Sequence, residues 1–263
     1  IEAVAYFNDR DPITQGIYKF AQKRKIRTIL IEEGIGTYFK ACNPTLIGER
    51  CVPDFVIVAF PELYKKYHSV YGKISFLDYK KIFDYKNLQY KYCDLNCDIL
   101  FLGQVTPGNE ELRNVELEFI ANLKKVYPKY TLLIKPHPRD EKYRNYITLK
   151  SEKLLPYEYF MLPSECIVGN GKIKIVASLF SSGCITLAKL FNQITVIYGF
   201  LLCHIDEKYD LSSITEMSTY VENLYIPKCV EDLKKININK NMYEKCTCED
   251  NEMLDLTVFI KGE

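Results

Sequence analysis

Short apolar runs that each end in a glycine or a polar turn, separated by helical segments, constrain this chain more than any other feature of it. The clearest begins at Asp98, where Ile99-Leu100-Phe101-Leu102 runs into Gly103-Gln104. Val105–Asn109 then reads as a loop and Glu110–Val126 as an amphipathic helix, with Leu112, Leu117, Ile120 and Leu123 on its buried face. Tyr130–Ile134 is the next strand. Farther on, Lys172–Leu179 reads as a strand, Ser181-Ser182-Gly183 opens a helix from Cys184 to Phe191, and Ile194–Tyr198 is one more strand. Such alternation predicts an α/β protein with a parallel, doubly wound sheet.

The front of the chain follows the same grammar. Ile1–Phe7 reads as a buried strand, and Asp11-Pro12 opens a helix with aspartate at the N-cap and proline in the first turn. Ile13, Ile17, Phe20 and Ala21 recur at helical spacing, Lys23-Arg24-Lys25 ends the helix, and Thr28–Ile31 is the next strand. Asp54–Phe60 and Lys73–Leu77 read as further strands and Tyr79–Phe83 as helical. A polar, tyrosine-rich stretch between Asp84 and Asp98 divides the chain, giving expected domains at residues 1–92 and 93–263. Leu162–Glu165 reads as a loop, and the polar tail beyond Lys235 receives no assignment.

Three strand ends carry unusual chemistry. The first is Glu32-Glu33-Gly34, two carboxylates before a glycine that lets the backbone turn sharply. The second is Lys135-Pro136-His137-Pro138, where a proline on each side of the histidine confines its backbone and Lys135 and Arg139 add positive charge. The third is Ser181-Ser182 at a helix start, where two hydroxyls stand beside exposed N–H groups and the positive end of the helix dipole, an arrangement suited to phosphate. Each has a plain alternative: a turn with solvated acids, a rigid loop, a simple N-cap. Ligands of open α/β sheets bind outside the carboxyl ends of strands, which is where all three lie.

Charge is nearly balanced at +1 over 263 residues, so bulk electrostatics gives no ground for a nucleic-acid surface. No apolar run is long enough to cross a bilayer, and a cytoplasmic protein is expected. Ten cysteines are scattered through strands and helices, the pattern of reduced thiols. The pairs Cys93/Cys97 and Cys246/Cys248 lie far in sequence from His68, His137 and His204, so no zinc site is expected.

Taken in order, the acidic-acidic-glycine, histidine-proline and paired-serine motifs resemble those of bacterial GT-B sialyltransferases. The likeness is to the lipooligosaccharide and capsule group, family 52, and to the related polysialyltransferases, and it spans about the first 180 residues. The resemblance implies two Rossmann-like domains facing a cleft. It also implies that the first domain is incomplete at its N-terminus, because the acidic motif arrives by residue 32. Carried over, Glu33 or its rival Glu32 is the base that deprotonates the acceptor hydroxyl, while His137, Ser181 and Ser182 hold the phosphate of CMP-sialic acid. Lys135 and Pro138 belong to the same nucleotide site. Glu165 is placed to read the ribose hydroxyls, and Gly103 and Gln104 line the pocket. The implied partners are CMP-sialic acid and a cell-surface glycan, with no cofactor and no metal. Peripheral attachment to the inner face of the cytoplasmic membrane and a homodimer are compatible with it.

Three rivals remain open on sequence. Asp9-Arg10-Asp11 has the spacing by which metal-dependent GT-A glycosyltransferases hold a cation, although Asp11 is equally an N-cap. A CDP-glycerol-type glycerophosphotransferase shares the histidine-proline and serine motifs. A nucleotide-binding fragment without turnover is the non-enzyme reading.

Overall fold

The computed structural model describes residues 1–6, 12–31, 53–58, 75–78, 95–104, 110–137, 153–156, 159, 162–168, 172–206, 209 and 211–238. The chain divides into two units, Ile1–Asp84 with Cys248–Glu263, and Tyr85–Thr247.

The first unit contains β1 (Ala3–Tyr6), α1 (Pro12–Lys23), β2 (Arg27–Ile31), β3 (Phe55–Val58) and β4 (Ser75–Asp78). Its strands form one parallel sheet in chain order, β1-β2-β3-β4. Asp54, just before β3, ties that strand to β2: its carboxylate accepts the Thr28 N–H at 2.7 Å and the Thr28 hydroxyl at 2.9 Å. Helix α1 forms where the spacing predicts it. Tyr18 and Ala21 are its buried residues, with the Tyr18 ring edge-on to Tyr6 at 6.5 Å. Ile13, Ile17 and Phe20 are exposed, and the Arg24 guanidinium lies 4.7 Å over the Phe20 ring. The N-cap expected at Asp11 lies outside the described residues, as do Tyr79–Phe83.

The second unit is larger. It runs β5 (Ile99–Leu102), α2 (Glu110–Val126), β6 (Leu132–Lys135), β7 (Lys153–Leu154), α3 (Ser164–Val168), β8 (Ile175–Ser178), α4 (Ser182–Leu190), β9 (Thr195–Tyr198), α5 (Ser212–Ser218), β10 (Leu224–Tyr225) and α6 (Val230–Lys235). Every residue of β5, β6, β8 and β9 is buried, which is why these strands read as unbroken apolar runs rather than alternating ones. All pairings are parallel, and the order is β7-β6-β5-β8-β9-β10. Counted within the unit this is 3-2-1-4-5-6, the Rossmann order, with its reversal between β5 and β8.

Packing fixes α2 against this sheet. Leu112, Phe119, Ile120 and Leu123 are buried, and the Phe119 ring meets Phe101 of β5 edge-on at 6.0 Å. Leu117, expected on this face, is only half-buried; one residue earlier, Glu116 holds the inward position. Phe119 also demands a glycine after β9, because a Cβ at Gly199 would lie 2.5 Å from its ring. At the far edge, buried Asn223 donates to the carbonyls of Phe191 and Ile194 at 3.0 and 2.9 Å, which seats β10 beside β9. Helix α6 is held by fully buried Leu233, whose carbonyl accepts the Tyr127 hydroxyl at 2.9 Å.

Candidate functional site

The site is built from the last residues of strands. β6 ends on Lys135, β8 on Ser178 and β9 on Tyr198, and all three are buried, the serine and tyrosine completely. Apolar strands tolerate such residues when their polar atoms find partners. Here the partners of Ser178 and Tyr198 converge on the reversal between β5 and β8, the place in such a strand order where ligands of open α/β sheets bind.

Four bonds organise this place. Beyond β5, the Gln104 backbone N–H donates to the Glu116 carboxylate, which α2 carries beneath it almost wholly buried. The Gln104 side-chain amide donates to the Ser178 hydroxyl at 3.2 Å, bridging the reversal. That hydroxyl also accepts the Ser181 N–H at 3.2 Å, and the Tyr198 hydroxyl donates to the Ser181 carbonyl at 2.5 Å.

Ser181 therefore has both backbone groups held, and it occupies the N-cap of α4 with extended dihedrals, φ −63° and ψ 125°. Its side chain makes no capping hydrogen bond. The reading of Ser181 as a simple cap thus fails at the hydroxyl. That oxygen stands over the first turn, 3.5 Å from where a Cβ on Gly183 would be. Ser182 is the first helical residue, and both serines are half-buried.

On the other side of β5 stand the histidine-motif residues. The Gly103 N–H donates to the Lys135 carbonyl at 3.0 Å, so the turn after β5 is fastened to the end of β6. His137 follows two residues later and is half-buried. The Lys135 ammonium is pushed below its ordinary range by burial, with Glu165 pulling it back up. Glu165 responds in the opposite sense: burial raises its carboxyl, while its own backbone N–H and Lys135 lower it. The two groups thus feel one another, although Glu165 comes from α3, a helix where a loop is expected. Nearby thiols are chemically quiet. Burial pushes Cys203 up to about 12 and Cys184, in the first turns of α4, higher still, so neither offers a thiolate near neutral pH.

Gly103, Gln104, Lys135, Glu165 and Ser181 are thus joined by bonds or electrostatic coupling. Ser182 continues that cluster into α4, and His137 lies two residues beyond the end of β6. Glu32, Glu33 and Pro138 lie outside the described residues, as do Asp9 and Asp11. Glu116, Ser178 and Tyr198 are additions. A carboxylate at the inward position of an amphipathic helix, and polar residues closing two apolar strands, were the signals for them. Among the described residues, no cluster of three or more His, Cys, Asp and Glu could hold a metal ion, and no helix is long and apolar enough to cross a membrane.

Residues 3–199, from β1 through β9, match the family model described as alpha-2,8-polysialyltransferase. The chain belongs to that family. It is the polysialyltransferase side of the resemblance read from the three motifs; the match does not name the lipooligosaccharide enzymes of family 52. Polysialyltransferases are sialyltransferases and hence glycosyltransferases, working on an activated sugar donor and a glycan acceptor. A search of curated protein sequences found no match. Among solved structures, the UDP-GlcNAc 2-epimerase of Methanocaldococcus jannaschii, in complex with UDP-GlcNAc and UDP, is similar with a TM-score of 0.59. It is 15% identical, and the alignment covers 100% of this chain and 76% of that one. The likeness is therefore one of fold: this polysialyltransferase-family chain is α/β, with Rossmann-type parallel sheets and a GT-B-like architecture.

Proposed function

We propose that the chain is an inverting sialyltransferase that moves sialic acid from CMP-sialic acid to a hydroxyl of a cell-surface glycan, capsular polysaccharide or lipooligosaccharide. The unit Tyr85–Thr247 binds the donor, with its phosphate between the start of α4 and His137. The observation that carries this reading is the Ser181 hydroxyl, which stands at a helix N-terminus on the Rossmann reversal yet caps nothing. With β5 between β8 and β6, the serine and histidine strands lie two steps apart, about 10 Å, a span that side chains from both edges close onto one phosphate.

The chemistry follows from the donor. Its anomeric carbon is quaternary and bears a carboxylate, so departure of CMP runs ahead of attack and the transition state approaches an oxocarbenium ion. Charge grows on the leaving phosphate, and preorganised donors there lower the barrier most. Ser181, Ser182, the first-turn N–H groups of α4 and His137 supply them, and no metal is needed. Gly103 lets the β5 turn approach the nucleotide; Lys135 and Glu165 sit at its ribose. Glu33, with Glu32 as the alternative, takes the acceptor proton. The GT-B-like fold favours this route over the GT-A reading of Asp9-Arg10-Asp11.

Thermal shift with CMP, CDP, UDP and GDP tests the reading. CMP should stabilise the protein selectively, and a full set of flat responses would sink the assignment. A stronger response to CDP than to CMP would favour glycerophosphate transfer. In a transfer assay run in EDTA, the wild type should stay active and Glu33→Gln should lose about 100-fold or more while its CMP affinity holds.

A further inference from the structure

We propose that Glu116, Gln104, Ser178 and Tyr198 form a strap across the sheet reversal whose task is to position the Ser181 backbone for the donor phosphate, making Ser178 and Tyr198 positioning residues for the transfer. The proposal rests on the phosphate reading above. Ser178 is fully buried and cannot touch a ligand. Its hydroxyl accepts two hydrogen bonds, from the Gln104 amide and the Ser181 N–H, both at 3.2 Å, which uses the acceptor capacity a hydroxyl has. Tyr198 is equally buried and spends its proton on the Ser181 carbonyl.

The N–H and the carbonyl of one residue are thus gripped from two strands, β8 and β9. The peptide groups on either side of the Ser181 Cα are therefore both held, which fixes the φ and ψ of that residue. The Ser181 hydroxyl makes no capping bond to the first turn, so its oxygen is left for the ligand on a backbone that these two side chains hold in place. The helix also keeps its own first bond, from the Cys184 N–H to the Ser181 carbonyl at 3.0 Å. Loss of the tyrosine hydroxyl would therefore loosen the orientation of the turn without undoing the helix. The other half of the strap is Gln104. Its side-chain amide donates to Ser178 and its backbone N–H to Glu116, so it holds the β5 turn to the reversal.

Tyr198→Phe and Ser178→Ala, each made in the full chain, separate positioning from mere support when CMP and cytidine are titrated side by side by calorimetry. The wild type should bind CMP more tightly than cytidine. Both variants should lose about ten-fold in CMP affinity, the worth of one well-placed hydrogen bond, while cytidine affinity stays within about two-fold. Should Ser178→Ala fail to fold, Tyr198→Phe, which keeps the ring, decides alone. Equal losses for CMP and cytidine, or no loss for either, would overturn the strap while leaving the phosphate reading intact. A wild type that binds neither would remove both.

Discussion

The two ends of the six-stranded sheet use similar polar chemistry for opposite purposes. At the amino end, Asp98 stands before β5 with each carboxylate oxygen engaged: one accepts the Thr131 N–H at 2.9 Å, the other meets the Lys174 ammonium at 2.8 Å. Lys174 in turn lies 4.8 Å over the Tyr130 ring, which stacks on Tyr127. Three neighbouring strands are cross-tied and little capacity is left over. At the carboxyl end, buried side chains also satisfy one another, but the network ends by fixing Ser181 while leaving its hydroxyl outside the capping scheme. A structural cluster closes on itself; a binding cluster keeps donors in reserve.

That contrast breaks most readily at the serines. In the double variant Ser181→Ala, Ser182→Ala, CMP affinity should fall about 100-fold, since two hydrogen bonds to a charged phosphate are removed. Stability should hardly move. Replacing a serine that does cap a helix costs about 0.5–2 kcal/mol, so a clear drop in the midpoint of thermal or urea unfolding would mean that the Ser181 hydroxyl caps α4 after all.

The amino end should behave in reverse. Asp98→Asn keeps the shape but removes the charge, weakening the bond from Thr131 and abolishing the attraction to Lys174. With both side chains of the ion pair partly exposed, the pair alone is worth little, and most of the expected loss of about 1–2 kcal/mol comes from the bond to the Thr131 N–H. CMP affinity should not change. A matching loss of affinity would show that the two ends are coupled and that the division drawn here is false.

How much of this was legible in the sequence follows from the physics of each element. β5, β6, β8 and β9 were, because a parallel strand buried on both faces is a nearly continuous apolar run. β7 and β10 were not: two residues are too few to show a pattern, and what seats β10 is Asn223 bonding to residues about thirty positions earlier. Helices α3, α5 and α6 are short, and α6 rests chiefly on Leu233. The exposed Ile13, Ile17 and Phe20 of α1 show a periodicity that identifies a helix without saying which stripe faces inward. At the site, Lys135, Gly103, Gln104 and the serines were visible as strand-end residues, whereas Ser178 and Tyr198 looked like strand residues because their role depends on pairing across strands. Glu116 was hidden by its neighbour Leu117, which the apolar pattern preferred.

The smallest effect expected at the carboxyl end concerns Glu165. Burial raises Glu165 above its ordinary value near 4.5, and the opposing pulls of its backbone N–H and Lys135 are smaller. A raised folded pKa means that Glu165 favours the folded state fully at pH below its unfolded value, and that this contribution is lost as pH rises through the folded value. Lys135, lowered by burial, has the mirror dependence: its contribution is present above the unfolded value near 10.5 and lost as pH falls through the folded one. Where both groups are charged neither contribution is in place, and their mutual attraction offsets part of the cost of that state. Such a pair is a poor choice for stability and a suitable one for gripping a polar ligand. If the ionised Glu165 accepts hydrogen bonds from the ribose, cytidine, which has no phosphate to titrate, should bind about five-fold more tightly as pH rises through that raised pKa. The dependence should flatten in Glu165→Gln and weaken for 2′-deoxycytidine. An unchanged slope in Glu165→Gln would assign the titration elsewhere and leave the carboxylate with a structural role.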